Sequence, residues 1–146
     1  AGKTAEAFTP DGYFRTGDQG YISADGYLTL SGRKKDLLIT AYARKIFPAP
    51  VEAGLRAIPG VAEALLVGEG RPFCAALLWM EDAGWSPACA PAIDAGVAGV
   101  NAMLSPAEQI KRWVVLPGHL TVADGELSSS LKVKRAVVAE RRRTTR

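Results

Sequence analysis

The first hydrophobic residues of this chain alternate with polar ones, as they do along the strands of a half-exposed sheet. Two short alternating runs, residues 21–23 and 27–30, flank the pair Asp25-Gly26, which accepts the positive φ of a tight turn. These runs predict a β-hairpin. The polar stretch 32–36 follows without any hydrophobic period and predicts a connector at a domain boundary.

Hydrophobic residues then appear at strand and helix spacings. Residues 37–40 form a short apolar run typical of a strand. Val51, Leu55 and Ile58 recur at i, i+4 and i+7, and Pro50 suits a first helical turn, so a short helix is expected to end before Pro59 and Gly60.

The strongest core signal lies in two apolar runs of strand length, residues 61–67 and 73–80. A Gly- and Pro-containing turn separates them, so they are predicted to pair as neighbouring buried strands.

Two helices, one strand and one loop are predicted before the last helix. Residues 93–104 place apolar side chains on one helical face, and the capping-box pattern of residues 105–108 predicts a second short helix. Residues 113–116 are typical of a strand, 117–126 of a loop with turns, and 133–143 of a final basic helix. The predicted fold is α+β, a small hairpin followed by a compact domain in which a short β-sheet is flanked by helices.

Composition places the chain among ordinary folded domains. It has 146 residues, of which 48% are hydrophobic and 23% charged, values that exclude a fibrous or largely disordered protein. The apolar stretch 87–104 fails as a membrane span because prolines, Asp94 and Asn101 interrupt it. No secretory signal opens the chain, although a sequence without an initial Met can have lost its start.

Cysteine and histidine usage argues against a metal site. Cys74 and Cys89 fit no zinc or disulfide spacing, and His119 is the only histidine. We therefore expect free thiols, a cytoplasmic location and no metal ligands in this chain.

Positive charge is concentrated at the C-terminal end. The net charge is +3, and residues 132–146 hold seven basic side chains against one acidic. A solvated final helix explains this distribution, and a contact with nucleic acid or with anionic lipid is the alternative. No aromatic residues are interleaved in the basic run, which argues against specific nucleic-acid binding.

Three polar clusters interrupt the apolar chain, at residues 13–18, 32–36 and 128–135. Asp18 follows a Thr-Gly turn, where a carboxylate either stabilises the turn or accepts hydrogen bonds from a vicinal diol such as a ribose. Arg33 has donors for the same diol or for a phosphate, and Lys132 could place a point charge on a phosphate or carboxylate oxygen. Taken singly, Arg33, Lys34, Lys35 and Lys132 are better explained as solvated surface charges.

The order and spacing of these clusters resemble the C-terminal part of the adenylate-forming enzymes, the superfamily of acyl-CoA synthetases, luciferases and nonribosomal peptide adenylation domains. Residues 12–18 (G-Y-F-R-T-G-D) resemble its G-[WY]-x-[RK]-T-G-D motif, and residues 26–36 resemble its G-x-[LI]-x-[IL]-x-G-R-x-[KD]-D motif. Residues 128–135 are similar to its T-P-T-x-K-[LI]-[KD]-R motif. The G-R-K-K-D form followed by Pro48-Ala-Pro50-Val-Glu52 looks most like the long-chain fatty acid branch.

The resemblance assigns a role to each matching residue. It implies that Asp18 and Arg33 bind the ribose of ATP or of the acyl-adenylate, and that Lys35 is the hinge about which a small C-terminal lid turns. Lys132 would be the lysine that such enzymes bring to the α-phosphate and the acyl carboxylate. By the same resemblance, residues 1–32 are the last hairpin of a preceding large domain, and residues 33–146 are the lid.

Two segments depart from the family pattern. Where members carry glycines in a loop that shapes the pantetheine tunnel, this chain has Tyr42, Ala43 and Arg44, which makes thioester formation with CoA less secure than adenylation. Ser129 stands where proline is usual, a change that would loosen the lysine loop.

The implied function is that of the lid of an ATP-dependent long-chain fatty acid–CoA ligase, inactive alone. Fatty acid, ATP and CoA would be its substrates, and Mg²⁺ and the phosphate loop would belong to an N-terminal adenylation domain that nothing in this chain resembles. Two alternatives stay open: an acyl-AMP ligase that delivers to a carrier-protein thiol, and a stand-alone lid homologue that binds without catalysis. A weak peripheral contact of the basic end with a membrane surface is compatible with each.

Overall fold

The fold is described by a computed structural model covering residues 2–81 and 85–143. Its helices and strands, in chain order, are α1 (Gly2–Glu6), β1 (Asp18–Ile22), β2 (Leu28–Arg33), β3 (Leu38–Ile39), β4 (Lys45–Ile46), α2 (Pro48–Arg56), β5 (Val61–Val67), β6 (Cys74–Met80), α3 (Ala90–Ala102), β7 (Ile110–Val115) and α4 (Arg135–Arg143). Two single-turn 3₁₀ helices cover Lys34–Asp36 and Pro87–Cys89.

Strands β1 and β2 form the predicted antiparallel hairpin, with Gly26 at φ +84° in its turn. The ladder shifts register between Gln19 and Gly20, where a Cβ atom on Gly20 would lie 2.4 Å from the Thr29 carbonyl oxygen. Glycine is therefore required at this irregularity because the two backbones approach closely. The hairpin ends at Arg33, and the predicted connector continues as the 3₁₀ turn Lys34–Asp36.

A second, smaller hairpin pairs β3 with β4, with Leu38 opposite Ile46. The sequence predicts β3 but not β4, whose two residues are too few for alternation to be visible. Helix α2 then begins at Pro48, and prolines in its first turn need no intrahelical N–H partner.

The central sheet has the order β5-β6-β7. The predicted neighbours β5 and β6 are antiparallel, and Leu65 faces Leu77 across the ladder. Strand β7 lies parallel to β6, so the chain crosses over between them, and α3 lies within that connection. The predicted α+β class, with a short sheet flanked by helices, is confirmed.

Hydrophobic cores fill both faces of this sheet because its central side chains alternate inward and outward. On one face, Leu66 and Leu78 pack with α2 and α3 through Leu55, Ile93 and Val97. The opposite core is formed by Leu65, Trp79, Leu116 and Val138, the last of these from α4. Helix α4 therefore packs on this second face of the central sheet.

The short helix predicted at residues 105–108 is wrong. Ser105 and Glu108 do form their capping contact, because the Glu108 carboxylate accepts from the Ser105 N–H at 3.1 Å and from its hydroxyl at 2.6 Å. The segment is only a turn, since strand β7 begins at Ile110. The Asn101 side chain bonds both the N–H and the carbonyl of Ile110, at 2.8 and 2.9 Å, and fixes the chain there.

Across the residues that the structure describes, no helix has the length and apolar character needed to cross a membrane.

Candidate functional site

Asp18 and Arg33 stand opposite each other on the first hairpin. They are register partners of β1 and β2, and the Arg33 Nε lies 3.3 Å from Asp18 Oδ1. The Asp18 N–H donates to Thr16 Oγ1 at 3.1 Å. Both side chains remain partly exposed, at 55% for Arg33 and 32% for Asp18. The ion pair orients the carboxylate and leaves it open to a ligand on the solvent side.

A cleft of about 390 Å³ adjoins this pair, lined by Thr16, Gly17, Arg33, Lys34 and Lys35. The Lys34 N–H donates to the Gly17 carbonyl at 2.8 Å, which ties the 3₁₀ turn to the start of the hairpin. Three cationic residues on one cleft suit an anionic ligand such as a nucleotide. The predicted ribose-binding residues and the predicted hinge residue therefore lie together.

The segment that replaces the family's glycine-rich loop is a tight turn between β3 and β4. The Thr40 N–H donates to the Arg44 carbonyl, and the Ala43 N–H donates to the Thr40 carbonyl, at 3.0 and 2.9 Å. Ala43 adopts φ +56°, the left-handed region that glycine enters without steric cost. The backbone thus keeps a glycine-like conformation here although no glycine is present. The Tyr42 side chain is 71% exposed beside it.

Lys132 lies at the end of a closed turn formed by residues 128–132. The Ser128 N–H donates to the Lys132 carbonyl at 2.8 Å, and Ser128 Oγ accepts from the Lys132 N–H at 3.1 Å. An isolated bridge between Leu127 and Val133 closes the stem of the turn. Within the described ranges the Lys132 ammonium has no hydrogen-bond or ion-pair partner, so an exposed cation is held on an ordered backbone.

Leu131 gives this turn its shape. It adopts φ +59° and its side chain is 70% exposed, an uncommon conformation for a bulky residue. Hydrogen bonds hold it there: its N–H donates to the Ser128 carbonyl at 2.9 Å, and Ser128 Oγ lies 2.9 Å from Ser130 Oγ. Ser129, which stands where proline is usual, therefore lies in a turn that is closed by the hydrogen bonds of its neighbours.

A partly buried ion pair that involves Arg135, three residues after Lys132, was not predicted. Arg135 Nη2 lies 2.7 and 2.8 Å from the two carboxylate oxygens of Glu52, and Arg135 Nη1 donates to the Leu66 carbonyl at 2.8 Å. Glu52 also accepts from the Leu66 N–H at 2.7 Å and is only 6% exposed. The available signal is that Glu52 lies beside Val51, and three residues before Leu55, on the apolar face of α2.

Arg141 on the basic helix is 49% exposed, as expected of a solvated helix, but the helix also makes ion pairs within the domain. Arg146 lies outside the described residues. Arg141 and Arg142 approach the buried Glu126 carboxylate at 3.6 and 3.5 Å, and Arg135 is bound to Glu52. These arginines stabilise buried carboxylates within the domain, so they are less available to nucleic acid or to a lipid surface than the sequence implied.

Three separate places therefore carry the predicted site residues: the end of the first hairpin with Asp18, Arg33 and Lys35, the turn of residues 40–44, and the turn of Lys132. Among the described residues, no hydrogen bond or ion pair joins Lys132 to the other two places. In the same ranges, no cluster of three or more His, Cys, Asp or Glu side chains could hold a metal ion.

The fold is that of a small α+β domain whose candidate site residues lie at the end of a hairpin and in turns, and not in one enclosed site. The family described as AMP-binding enzyme C-terminal domain matches residues 35–143. The chain belongs to this family, and its resemblance to the adenylate-forming enzymes is confirmed.

Relatives with assigned names are fatty acid ligases. The chain is 39% identical to the long-chain-fatty-acid–CoA ligase FadD15 of Mycobacterium tuberculosis over 94% of its own length and 26% of that protein. It is 38% identical to the putative fatty-acid–CoA ligase fadD11 of the same species, over 94% of this chain and 27% of the relative. The chain thus spans about a quarter of the length of these relatives.

Solved structures share the fold. The ATP-bound MatB of Rhodopseudomonas palustris superposes with a TM-score of 0.68 at 26% identity, covering 98% of this chain and 27% of the other. The A domain of the carboxylic acid reductase of Segniliparus rugosus, crystallised with AMP, gives a TM-score of 0.83 at 22% identity, covering 98% of this chain and 24% of the other. The second likeness concerns the fold alone.

Proposed function

We propose that this chain is the lid of an ATP-dependent long-chain fatty acid–CoA ligase and that it supplies the adenylation lysine, Lys132. The observation that carries the proposal is the ammonium of Lys132, exposed and unpaired at a hydrogen-bonded turn. The family match and the names of the relatives supply the class of reaction.

In the first half-reaction, a carboxylate oxygen of the fatty acid attacks the α-phosphorus of ATP. A P–O bond forms to the acyl group, the bond to the bridging oxygen breaks, and pyrophosphate leaves with that electron pair. Two anions must approach each other, so a fixed ammonium lowers their repulsion and stabilises the charge that develops in the transition state. Lys132 has the charge and the exposure for this role.

In the second half-reaction, the thiol of CoA attacks the acyl carbonyl, a C–S bond forms, and AMP leaves with the electrons of the C–O bond. The thiol proton is lost in the same step. We assign the turn of Tyr42, Ala43 and Arg44 to the face that meets CoA. The glycine-like φ of Ala43 supports this assignment, since it keeps the backbone shape of a glycine-containing loop.

The adenosine ribose is assigned to Asp18 and Arg33 in both half-reactions. The Asp18 carboxylate would accept hydrogen bonds from the two vicinal hydroxyls, and Arg33 fixes its orientation through the 3.3 Å contact. Lys35, in the 3₁₀ turn after this pair, would be the hinge that lets the lid exchange the lysine turn for the CoA-facing turn.

The proposed large domain is supported by the surface of residues 1–32. Large exposed groups of hydrophobic side chains are rare on the surface of a monomeric protein. This segment exposes such a group: Phe8, Tyr13, Phe14, Tyr21, Ile22, Tyr27, Leu28 and Leu30. Such a surface fits the expectation that the hairpin belongs to a preceding domain, which would also hold Mg²⁺, the phosphate loop and the acyl pocket.

The test is Lys132→Ala in the full-length ligase, with each half-reaction measured separately. We expect ATP–pyrophosphate exchange with a long-chain fatty acid to fall about 10²–10³-fold, while transfer of acyl from supplied acyl-AMP to CoA is retained. Lys134→Ala, two residues away and outside the turn, is the matched control. Equal loss of both half-reactions, or no loss of exchange, would contradict the role of Lys132.

The acceptor is tested in the same preparation. Acyl transfer to CoA supports the ligase, whereas transfer only to the phosphopantetheine thiol of a holo carrier protein would replace it by an acyl-AMP ligase.

A further inference from the structure

The Lys132 turn is linked to the rest of the domain by the partly buried pair of Glu52 and Arg135. Arg135 is the first residue of α4 and lies three residues after Lys132. Three residues span at most about 11 Å even when fully extended. A fixed Arg135 therefore restricts where Lys132 can be.

Arg135 is held by both ends of its guanidinium fork. One nitrogen bonds the two oxygens of Glu52 on α2, and the other donates to the Leu66 carbonyl on β5. Glu52 in turn accepts from the Leu66 N–H. The guanidinium is thus bonded both to α2 and to β5. Only a planar fork satisfies both partners at once.

The partners of Arg135 are themselves buried. Val51, next to Glu52, and Leu55, three residues after it, are 2% and 0% exposed. Leu66 is 0% exposed. The loss of the arginine contact would leave α2 and β5 in place. It would release the chain segment that leads from Lys132 into α4, because α4 remains anchored further along by Val138.

We propose that Arg135, bound to Glu52 and Leu66, is a positioning residue for Lys132. It sets the distance of the ammonium from the reacting phosphate and carboxylate without touching either. This inference rests on the proposed adenylation role of Lys132. It does not concern the turn of Tyr42, Ala43 and Arg44, which lies before α2, so its effect is confined to the first half-reaction.

The variant of choice is Arg135→Lys in the full-length ligase. It keeps a cation beside Glu52, and so avoids an uncompensated buried carboxylate, but lacks the fork that reaches Leu66. We expect kcat for ATP–pyrophosphate exchange to fall about tenfold, since small misplacements of a reacting group are costly. The rate of acyl transfer from acyl-AMP to CoA should stay the same.

A matched control exists in the same domain. Arg56 and Glu63 form an exposed pair at 2.9 Å, with side chains 40% and 30% exposed. Arg56→Lys makes the same chemical change at a site that does not lead to the lysine turn, and it should alter neither half-reaction.

A double-mutant cycle separates positioning from general stability. In a Lys132→Ala background there is no ammonium to position, so Arg135→Lys should cost less than about twofold in the exchange that remains. If Arg135→Lys does not fold, Glu52→Gln decides the matter, because the amide oxygen can still accept from Leu66 while the ionic attraction is removed.

The inference is supported if Arg135→Lys slows only ATP–pyrophosphate exchange, and if it no longer slows exchange in the Lys132→Ala background. Equal slowing of both half-reactions, an unchanged exchange rate, or an effect that persists without Lys132 overturns it. If Lys132→Ala itself spares exchange, the proposed function fails first. If Lys132→Ala abolishes exchange and neither Arg135→Lys nor Glu52→Gln changes it, only the positioning role fails.

Discussion

The two cysteines lie in opposite environments, and their reactivity should differ accordingly. Cys74 on β6 is buried and Cys89 is exposed. Burial raises the pKa of the Cys74 thiol above its ordinary value, and the negative charge of Glu108 raises it further. We expect iodoacetamide at pH 8.5 to label Cys89 and to spare Cys74 in the native chain, with both labelled in urea, as counted by peptide mass spectrometry.

The same shift gives a pH dependence. A thiol whose pKa is raised in the folded state contributes stability that is complete below its ordinary pKa and is lost as the pH rises toward the folded value. The free energy of unfolding should therefore decline above pH 9 more steeply in the native chain than in Cys74→Ala. Labelling of Cys74 as fast as Cys89, or identical alkaline slopes, would contradict the buried, protonated thiol.

Individual site residues could be found from the sequence only where a motif marked them. Asp18, Arg33, Lys35 and Lys132 each occupy a motif position, yet their contacts were not visible. The pairing of Asp18 with Arg33 depends on the register of a hairpin that contains an irregularity. The contact of Glu52 with Arg135 joins residues 83 apart, and sequence spacing carries no signal for such a pair.

At the scale of elements, the packing of α3 against the chain that follows α2 depends on a glycine. A Cβ atom on Gly96 would lie 2.8 Å from three carbons of the buried Ile58 side chain, whereas Gly99, one turn further along α3, has nothing within 4 Å. Gly96→Ala should lower the free energy of unfolding by about 1–2 kcal/mol through overpacking. Gly99→Ala should raise it by about 0.5–1 kcal/mol because alanine favours the helix.

Urea denaturation followed by the fluorescence of the chain's tryptophans, which include the buried Trp79, measures both variants under one condition. The two substitutions share a helix and a chemical change, so each is the control of the other. Stabilisation by both would mean that Ile58 moves aside without cost and that its close contact with α3 is not required.

Long apolar strands and helices were easier to predict from the sequence than short ones. Strands β5 and β6 were found because each is a continuous apolar run, and α2 because its apolar residues keep a helical period. Strand β4 is two residues long and shows no period. At residues 105–108 a correct local capping pattern predicted a helix, but the pairing of β7 with β6 and the side chain of Asn101 commit the chain to a strand.

At the scale of the whole molecule, the first hairpin contributes little to the core. Both core clusters consist of residues from Leu38 onward, and none of residues 4–37 is buried. The hairpin is attached through the hydrogen bond from Lys34 to Gly17 and the approach of Gly32 to the Phe47 ring. The sequence predicted a boundary here from the loss of hydrophobic period, but it did not indicate how few interactions attach the hairpin to the rest of the chain.

Deletion of residues 1–31 should therefore leave the rest of the domain folded. We expect the free energy of unfolding in urea to change by no more than about 1 kcal/mol, the value of one lost hydrogen bond. The slope of the free energy of unfolding against urea concentration should fall only slightly. This slope follows the surface exposed on unfolding, and the deleted segment buries little surface. Solubility should rise with removal of the exposed tyrosines and leucines.

The deletion also bears on where the hairpin belongs. If residues 1–31 pack on a preceding large domain, the same residues that are dispensable for the lid should be essential in the full-length ligase. Replacing Ile22 and Leu28 by Ser should then leave the isolated chain as stable as before and destabilise the full-length protein. A large loss of stability in the isolated chain would instead make the hairpin an integral part of the lid and move the domain boundary toward the N-terminus.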